Sequence, residues 1–306
     1  MKMIPFGKTG LQVPSLAVGC FRVKGLEKAE MERLVQTAIE GGATFFDHAD
    51  MYGAGACEEI FAEAAHFNSD AREKVFLQSK CGIRLNVAFD FSKEHILSAV
   101  DGSLKRLKTD YLDVLLLHRP DALVEPEEVA EAFDSLQHSG KVRYFGVSNQ
   151  NPMQIQLLQK YVKQPLVTNQ LQLSITNATM ISQGLHVNML DEDAVNRDGS
   201  VLDFCRLNDI TIQTWSPFQY GYFEGVFLDN EKFPVLNAKI NEIAEKYGVS
   251  NTAIAVAWIL RHPAKMQVVT GTVKPSRLQE CIRGTEIVLS RDEWYEIYMA
   301  AGNTLP

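Results

Sequence analysis

Apolar and polar positions change period repeatedly along the chain. Short aliphatic and β-branched runs alternate with longer stretches in which apolar residues return every three or four positions. The short runs predict eight strands: Ser15–Gly19, Thr44–Asp47, Val75–Ser79, Leu112–Leu117, Val142–Val147, Leu166–Gln170, Thr211–Trp215 and Gln267–Thr270. The helical period predicts Lys28–Gly41, Cys57–Phe67, Ser92–Leu107, Pro126–Ser139, Pro152–Tyr161, Ser200–Leu207, Val235–Tyr247, Thr252–Arg261 and Ser276–Gly284, with Ser290–Ala301 last. In the first helix Met31, Leu34, Val35, Ala38 and Ile39 form the apolar stripe, and Gly41-Gly42 supplies the stop.

Eight such units predict an α/β fold, a (β/α)8 TIM barrel rather than an open doubly wound sheet. No linker or low-complexity stretch divides the chain, so residues 1–306 read as a single domain. Two connections are long, roughly Leu173–Gly199 and Pro217–Pro234. In a barrel, long loops after strands sit at the C-terminal face and carry function.

Composition narrows the function. The chain is 46% hydrophobic and 22% charged, as globular proteins are. Thirty Lys and Arg against 38 Asp and Glu give a net charge of −8, with no basic block, which argues against a nucleic-acid partner. No apolar run approaches the roughly 18 residues of a membrane span. The opening MKMIPFGKTG has no apolar leader core, which predicts a cytoplasmic protein. Five scattered cysteines without a CxxC read as reduced thiols. No apolar stripe is left over once the barrel is assigned, so a monomer or weak homo-oligomer is expected.

Barrel enzymes act through side chains at strand C-termini. The first polar residues at the predicted strand ends are Asp47, Lys80, His118, Asn149, Gln170 and Trp215, followed by Gly271. Taken singly they are ordinary: Asp47 reads as a turn carboxylate, Lys80 as a solvated strand end, His118 as a core histidine, Tyr52 as loop packing. Taken together they supply an acid, a cation that tunes it, a counter-charge and a carbonyl orienter. That combination suits hydride transfer to a carbonyl. Two other readings compete. One is a metal-dependent barrel hydrolase using Asp47, His48, Asp50 and His118, although no HxH pair occurs. The other is a cofactor-binding module without catalysis.

At this point the chain resembles the aldo-keto reductase superfamily, most closely its bacterial NADP-type oxidoreductase branch. The blocks GATFFDHADMYG, SLKRLKTDYLDVLLLHRPD, GKVRYFGVSN, TNQLQLS, TIQTWSPF and VVTGTVKPSRLQEC occur in the family's order, over nearly the whole chain. The resemblance implies an NADPH-dependent carbonyl reductase with the tetrad Asp47, Tyr52, Lys80 and His118, no metal, and a small carbonyl substrate. Tyr52 would protonate the nascent alkoxide, its pKa depressed by Lys80, and His118 would orient the carbonyl. The resemblance further implies that Ser148, Asn149 and Gln170 bind the nicotinamide carboxamide and that Trp215, next to Ser216, stacks on the ring. It assigns the adenosine and phosphate end to Gly271, Thr272, Lys274, Ser276, Arg277 and Glu280. Two positions depart from the family pattern. Gly271 stands where a Lys follows the last strand, and Cys281 where an Asn follows the Glu. Phe21, Arg22, Arg119 and Phe223 are the expected substrate-pocket residues, with Phe89, Phe91, Tyr220 and Tyr222 on candidate lid loops. An aromatic wall suits an apolar carbonyl compound, whereas the two arginines suit an anionic one.

Overall fold

The computed structural model describes residues 1–187, 189, 191–195 and 199–303. Eight parallel strands close into a barrel in chain order. They are β1 (Leu16–Gly19), β2 (Phe45–Asp47), β3 (Phe76–Cys81), β4 (Leu112–Leu117), β5 (Val142–Ser148), β6 (Leu166–Gln172), β7 (Thr211–Trp215) and β8 (Gln267–Thr270). β8 pairs with β1 through Val268–Leu16, Val269–Ala17 and Thr270–Val18, which completes the ring. The expected (β/α)8 barrel is therefore the fold.

Most outer helices bury one stripe and leave the opposite side exposed. In Lys28–Glu40 the buried residues are Met31, Leu34, Val35 and Ala38. Ile39, expected in that stripe, lies on the exposed side. Gly42, at φ +74, is the left-handed residue that turns the chain out of this helix. Asn251–Arg261 buries nearly every residue because it is wedged between neighbouring helices and β8.

The sequence pattern does not reveal the short elements. Met3–Pro5 and Gln12–Pro14 form an antiparallel hairpin. Its Ile4, Phe6 and Val13 pack with Ala17, Phe45, Val114, Leu116, Val167 and Val269 inside the barrel. The hairpin is thus a floor under the barrel. Two further hairpins have two-residue strands, Ile83–Arg84 with Ala88–Phe89 and Gln219–Tyr220 with Gly225–Val226. The connection Leu173–Gly199, expected to be loop, contains the helix Thr179–Leu185, and part of it lies outside the described residues. Among the described residues no helix is long and apolar enough to cross a membrane. All five cysteines are buried, and none is joined in a disulfide.

Candidate active site

Strand alternation brings the central residues together. Asp47 ends β2, Lys80 is the penultimate residue of β3, and both side chains turn inward. The Lys80 ammonium is fully buried and lies 2.7 and 2.8 Å from the two Asp47 oxygens. It also donates to the His48 carbonyl at 2.8 Å and to Tyr52 Oη at 3.1 Å. Its three N–H groups are therefore all directed. Tyr52 accepts from Lys80 and keeps its own O–H free for the cavity above.

Tyr52 is held by a left-handed turn in which Gly53, Ala54 and Gly55 all have positive φ. Gly55 is required there twice over. Its φ is +94, and a Cβ would come within 2.8 Å of the Arg106 side chain. Arg106 is itself fixed by a 2.7 Å bond to buried Glu58, which also accepts from Ser79 of β3. The turn is thereby tied to the strand that carries Lys80.

Burial sets the proton states. It pushes the Tyr52 phenol up, Lys80 pulls it down, and the net position is above the ordinary value. The expected depression by Lys80 is present but outweighed, because removing a phenolate from water costs more than one cation returns. Burial pushes Lys80 down, but Asp47 and Tyr52 more than offset it, and the ammonium is retained. His118 follows β4, and its ring packs edge-on against Tyr52 at 5.8 Å. Burial and the nearby Lys80 and Arg119 charges hold its pKa well below the usual histidine value, so the imidazole is neutral.

A cavity of about 530 Å³ opens above this group at the C-terminal mouth. One end is bordered by Tyr52, His118, Phe21, Arg22, Arg119 and Phe223. It continues past Ser148, Asn149, Gln170, Trp215 and Ser216 to Gly271, Thr272, Arg277 and Glu280. In the middle, Trp215 Nε1 donates to Asn149 Oδ1 at 3.1 Å, Asn149 Nδ2 to Ser148 Oγ at 2.7 Å, and Ser148 Oγ to the Gln170 carbonyl at 3.0 Å. Asn149 and Ser216 have φ of +56 and +53. Such conformations cost about 1–3 kcal/mol for non-glycine residues and gather at functional sites. Among the described residues no three His, Cys, Asp or Glu side chains gather as a metal site requires.

Comparison with known proteins gives the family. The Aldo/keto reductase family model matches residues 15–300. The chain belongs to the aldo/keto reductase family. It is 37% identical over 283 residues to the uncharacterized oxidoreductase YcsN of Bacillus subtilis, covering 89% of this chain and 88% of that one. It is 30% identical to a 6-dehydroglucose reductase of Agrobacterium fabrum, covering 95% of each. Among solved structures, the thermostable aldo-keto reductase Tm1743, in complex with the inhibitor epalrestat, superposes with a TM-score of 0.78 at 28% identity. That match covers 98% of this chain and 100% of the other.

Within this aldo/keto reductase barrel the sequence-derived residues divide cleanly. Asp47, Tyr52, Lys80 and His118 converge. Lys274 and Ser276 do not border the cavity; Lys274 immediately precedes the helix Pro275–Gly284, and its backbone N–H bonds Thr272 Oγ1 at 3.2 Å. Phe91 is no lid residue: it is buried in the core beneath Gly82. Tyr220 packs on Phe233 instead of bordering the cavity, whereas Tyr222 does border it. His48 is buried against Phe61, facing away from Asp47's partners. The sequence reading missed Gln78, which donates to Asp47 Oδ1 at 2.6 Å. Its signal was available: Gln78 precedes Lys80 by two positions and so shares its face of the strand.

Proposed function

We propose that the protein reduces the carbonyl of a small aldehyde or ketone to the alcohol with NADPH, and that Tyr52 delivers the proton. The observation that carries this reading is the buried Asp47–Lys80–Tyr52 chain ending beside a neutral His118 at the cavity floor. When bound, the reduced nicotinamide would supply the hydride.

The residues present suit that cofactor. The carboxamide would meet Ser148, Asn149 and Gln170, whose mutual bonds fix them in place. Trp215 offers an indole face for stacking. At the far end the Gly271 backbone is open, since a Cβ there would meet nothing within 4 Å, and a phosphate can approach it closely. Thr272 and Arg277 then supply a hydroxyl and a planar cation, and Glu280 a carboxylate for sugar hydroxyls. A 2′-phosphate beside Arg277 is the basis for naming NADPH over NADH.

The chain's own residues perform the rest. His118 donates a hydrogen bond to the carbonyl oxygen without adding charge to a site already holding Lys80. Tyr52 gives its proton to that oxygen as negative charge develops there. Lys80 then stabilises the phenolate, and Asp47 keeps Lys80 in place. A relative named for reducing 6-dehydroglucose fits this reading. The test is loss of NADPH absorbance with a panel of aromatic and aliphatic carbonyl compounds, wild type beside Tyr52→Phe. Turnover abolished by the substitution supports the reading; equal turnover in both removes Tyr52 as the acid.

A further inference from the structure

A line of buried amides runs through the barrel from its floor to Asp47. It begins at Gln267, whose Nε2 donates to the Pro14 carbonyl in the N-terminal hairpin at 2.6 Å. A carbonyl only accepts, so this contact fixes the orientation of the Gln267 amide. Gln267 Oε1 then accepts from Gln213 Nε2 at 2.8 Å. Gln213 Oε1 accepts from Gln78 Nε2 at 2.9 Å and from Gln170 Nε2 at 3.1 Å. Those two amides also end on Asp47 Oδ1, at 2.6 and 3.2 Å. The carboxylate, too, only accepts. The line is therefore pinned at both ends by groups that cannot reverse. Gln213 Nε2 returns to Gln78 Oε1 at 3.0 Å, closing a reciprocal pair across the barrel between β3 and β7. Gln78, Gln213 and Gln267 have no exposed surface, and Gln170 is 3% exposed.

Barrel interiors are normally filled by Val, Ile and Leu, which need no partners. Folding alone does not call for buried amides, because one lost member strands its neighbours without hydrogen bonds. Their common end point is the charge that controls Lys80 and Tyr52. We propose that Gln78, Gln213 and Gln267 are positioning residues that hold Asp47 and share its charge, so that the hairpin floor helps set the proton affinity of Tyr52. This inference rests on the carbonyl-reductase reading of the same site. Each N–H aimed at Asp47 withdraws part of the negative potential felt at Tyr52. Losing one makes that potential more negative and holds the phenol proton more tightly.

The test uses Gln78→Met and Gln267→Met, which keep volume and remove the amide. Gln164→Met is the control, a buried glutamine bonded to Asp134 outside the barrel. Alcohol oxidation requires the Tyr52 phenolate, so its rate rises with pH through an apparent pKa. In Gln78→Met that rise moves to higher pH and kcat at fixed pH falls about ten-fold, with KM within about two-fold. Gln267→Met, which does not touch Asp47, shifts the rise in the same direction by less, and Gln164→Met leaves it in place. If wild type turns over and all three profiles coincide with it, the proposal is overturned while the reductase reading stands. If wild type reduces no carbonyl compound, the reductase reading fails and side-chain amide resonances of 15N-glutamine-labelled protein decide the relay. The Gln78 amide must then move in Gln267→Met and Asp47→Asn but not in Gln164→Met. An unmoved Gln78 signal overturns the proposal.

Discussion

The Lys80 ammonium stands 3.1 Å from Tyr52 Oη while bonding both oxygens of Asp47, and it is wholly buried. One cation thus serves two anionic positions, the Asp47 carboxylate and a phenolate that exists only after proton transfer. Lys80→Met should lower carbonyl reduction by about 10²–10⁴, the range for a lost acid–base contribution. It should also destabilise the fold, because it leaves Asp47 buried without its cation, at a cost of about 3–5 kcal/mol. The double variant Asp47→Asn/Lys80→Met separates the two effects. Its melting temperature should recover toward wild type while its kcat does not. Recovery of kcat together with stability would show that Lys80 acts only in folding.

His118 is held neutral, and that has a pH consequence. Its pKa lies well below the ordinary histidine value because burial and two neighbouring cations oppose a further charge. Lowering the pH from 8 to 5.5 should therefore bring no loss of reduction attributable to an imidazolium. His118→Gln keeps an N–H donor and should retain more activity than His118→Ala. A rate that falls through an apparent pKa near 6.5, absent in His118→Gln, would contradict a neutral orienter.

Arg277 borders the cavity's far end from the first turn of Pro275–Gly284 and is exposed. A charge-assisted contact to a 2′-phosphate is worth about 1.5–3 kcal/mol. Arg277→Ala should weaken NADPH binding by about 10–100-fold and NADH binding much less, read by quenching of tryptophan fluorescence. Equal losses for the two cofactors would place Arg277 on the adenine or the shared phosphates instead.

The barrel and the tetrad were legible because both depend on local pattern. β4 is an apolar run with a fixed register, and Asp47, Lys80 and His118 lie at or beside strand ends whose direction a barrel dictates. The floor hairpin was not legible, since three-residue strands show no period and its role is to cover a surface built by distant segments. Gln170 was identified from its place at a strand end and from the family motif, not from the direction of its side chain. Strict alternation from inward-facing Val167 would turn Gln170 outward, and the irregular register between Leu166 and Asn169 is what turns it toward Asp47. The cavity border is equally non-local. Lys274, Ser276 and Arg277 are close in sequence, but helical geometry brings only Arg277 to the cavity.

Asp50 lies three residues past β2; its backbone N–H bonds the Lys80 carbonyl at 3.0 Å, but its side chain makes no bond to the tetrad. Its Oδ1 is buried without a hydrogen-bond partner. Burial and the nearby Glu58 carboxylate push its pKa up to about 7. The unfolded carboxyl, at its ordinary value of 3.8, ionises far more readily. The folded state thus binds a proton that the unfolded chain has released, so stability falls as pH rises from about 4 through 7. Asn has the same shape and no charge. Asp50→Asn should therefore raise the melting temperature at pH 8 by a few degrees, since each kcal/mol corresponds to about 1.5 °C in a chain of this size. At pH 4 wild type and variant should melt nearly together. A variant that melts lower than wild type at pH 8 would mean that the ionised carboxylate is stabilised in the fold, and that the turn leading to Tyr52 depends on its charge.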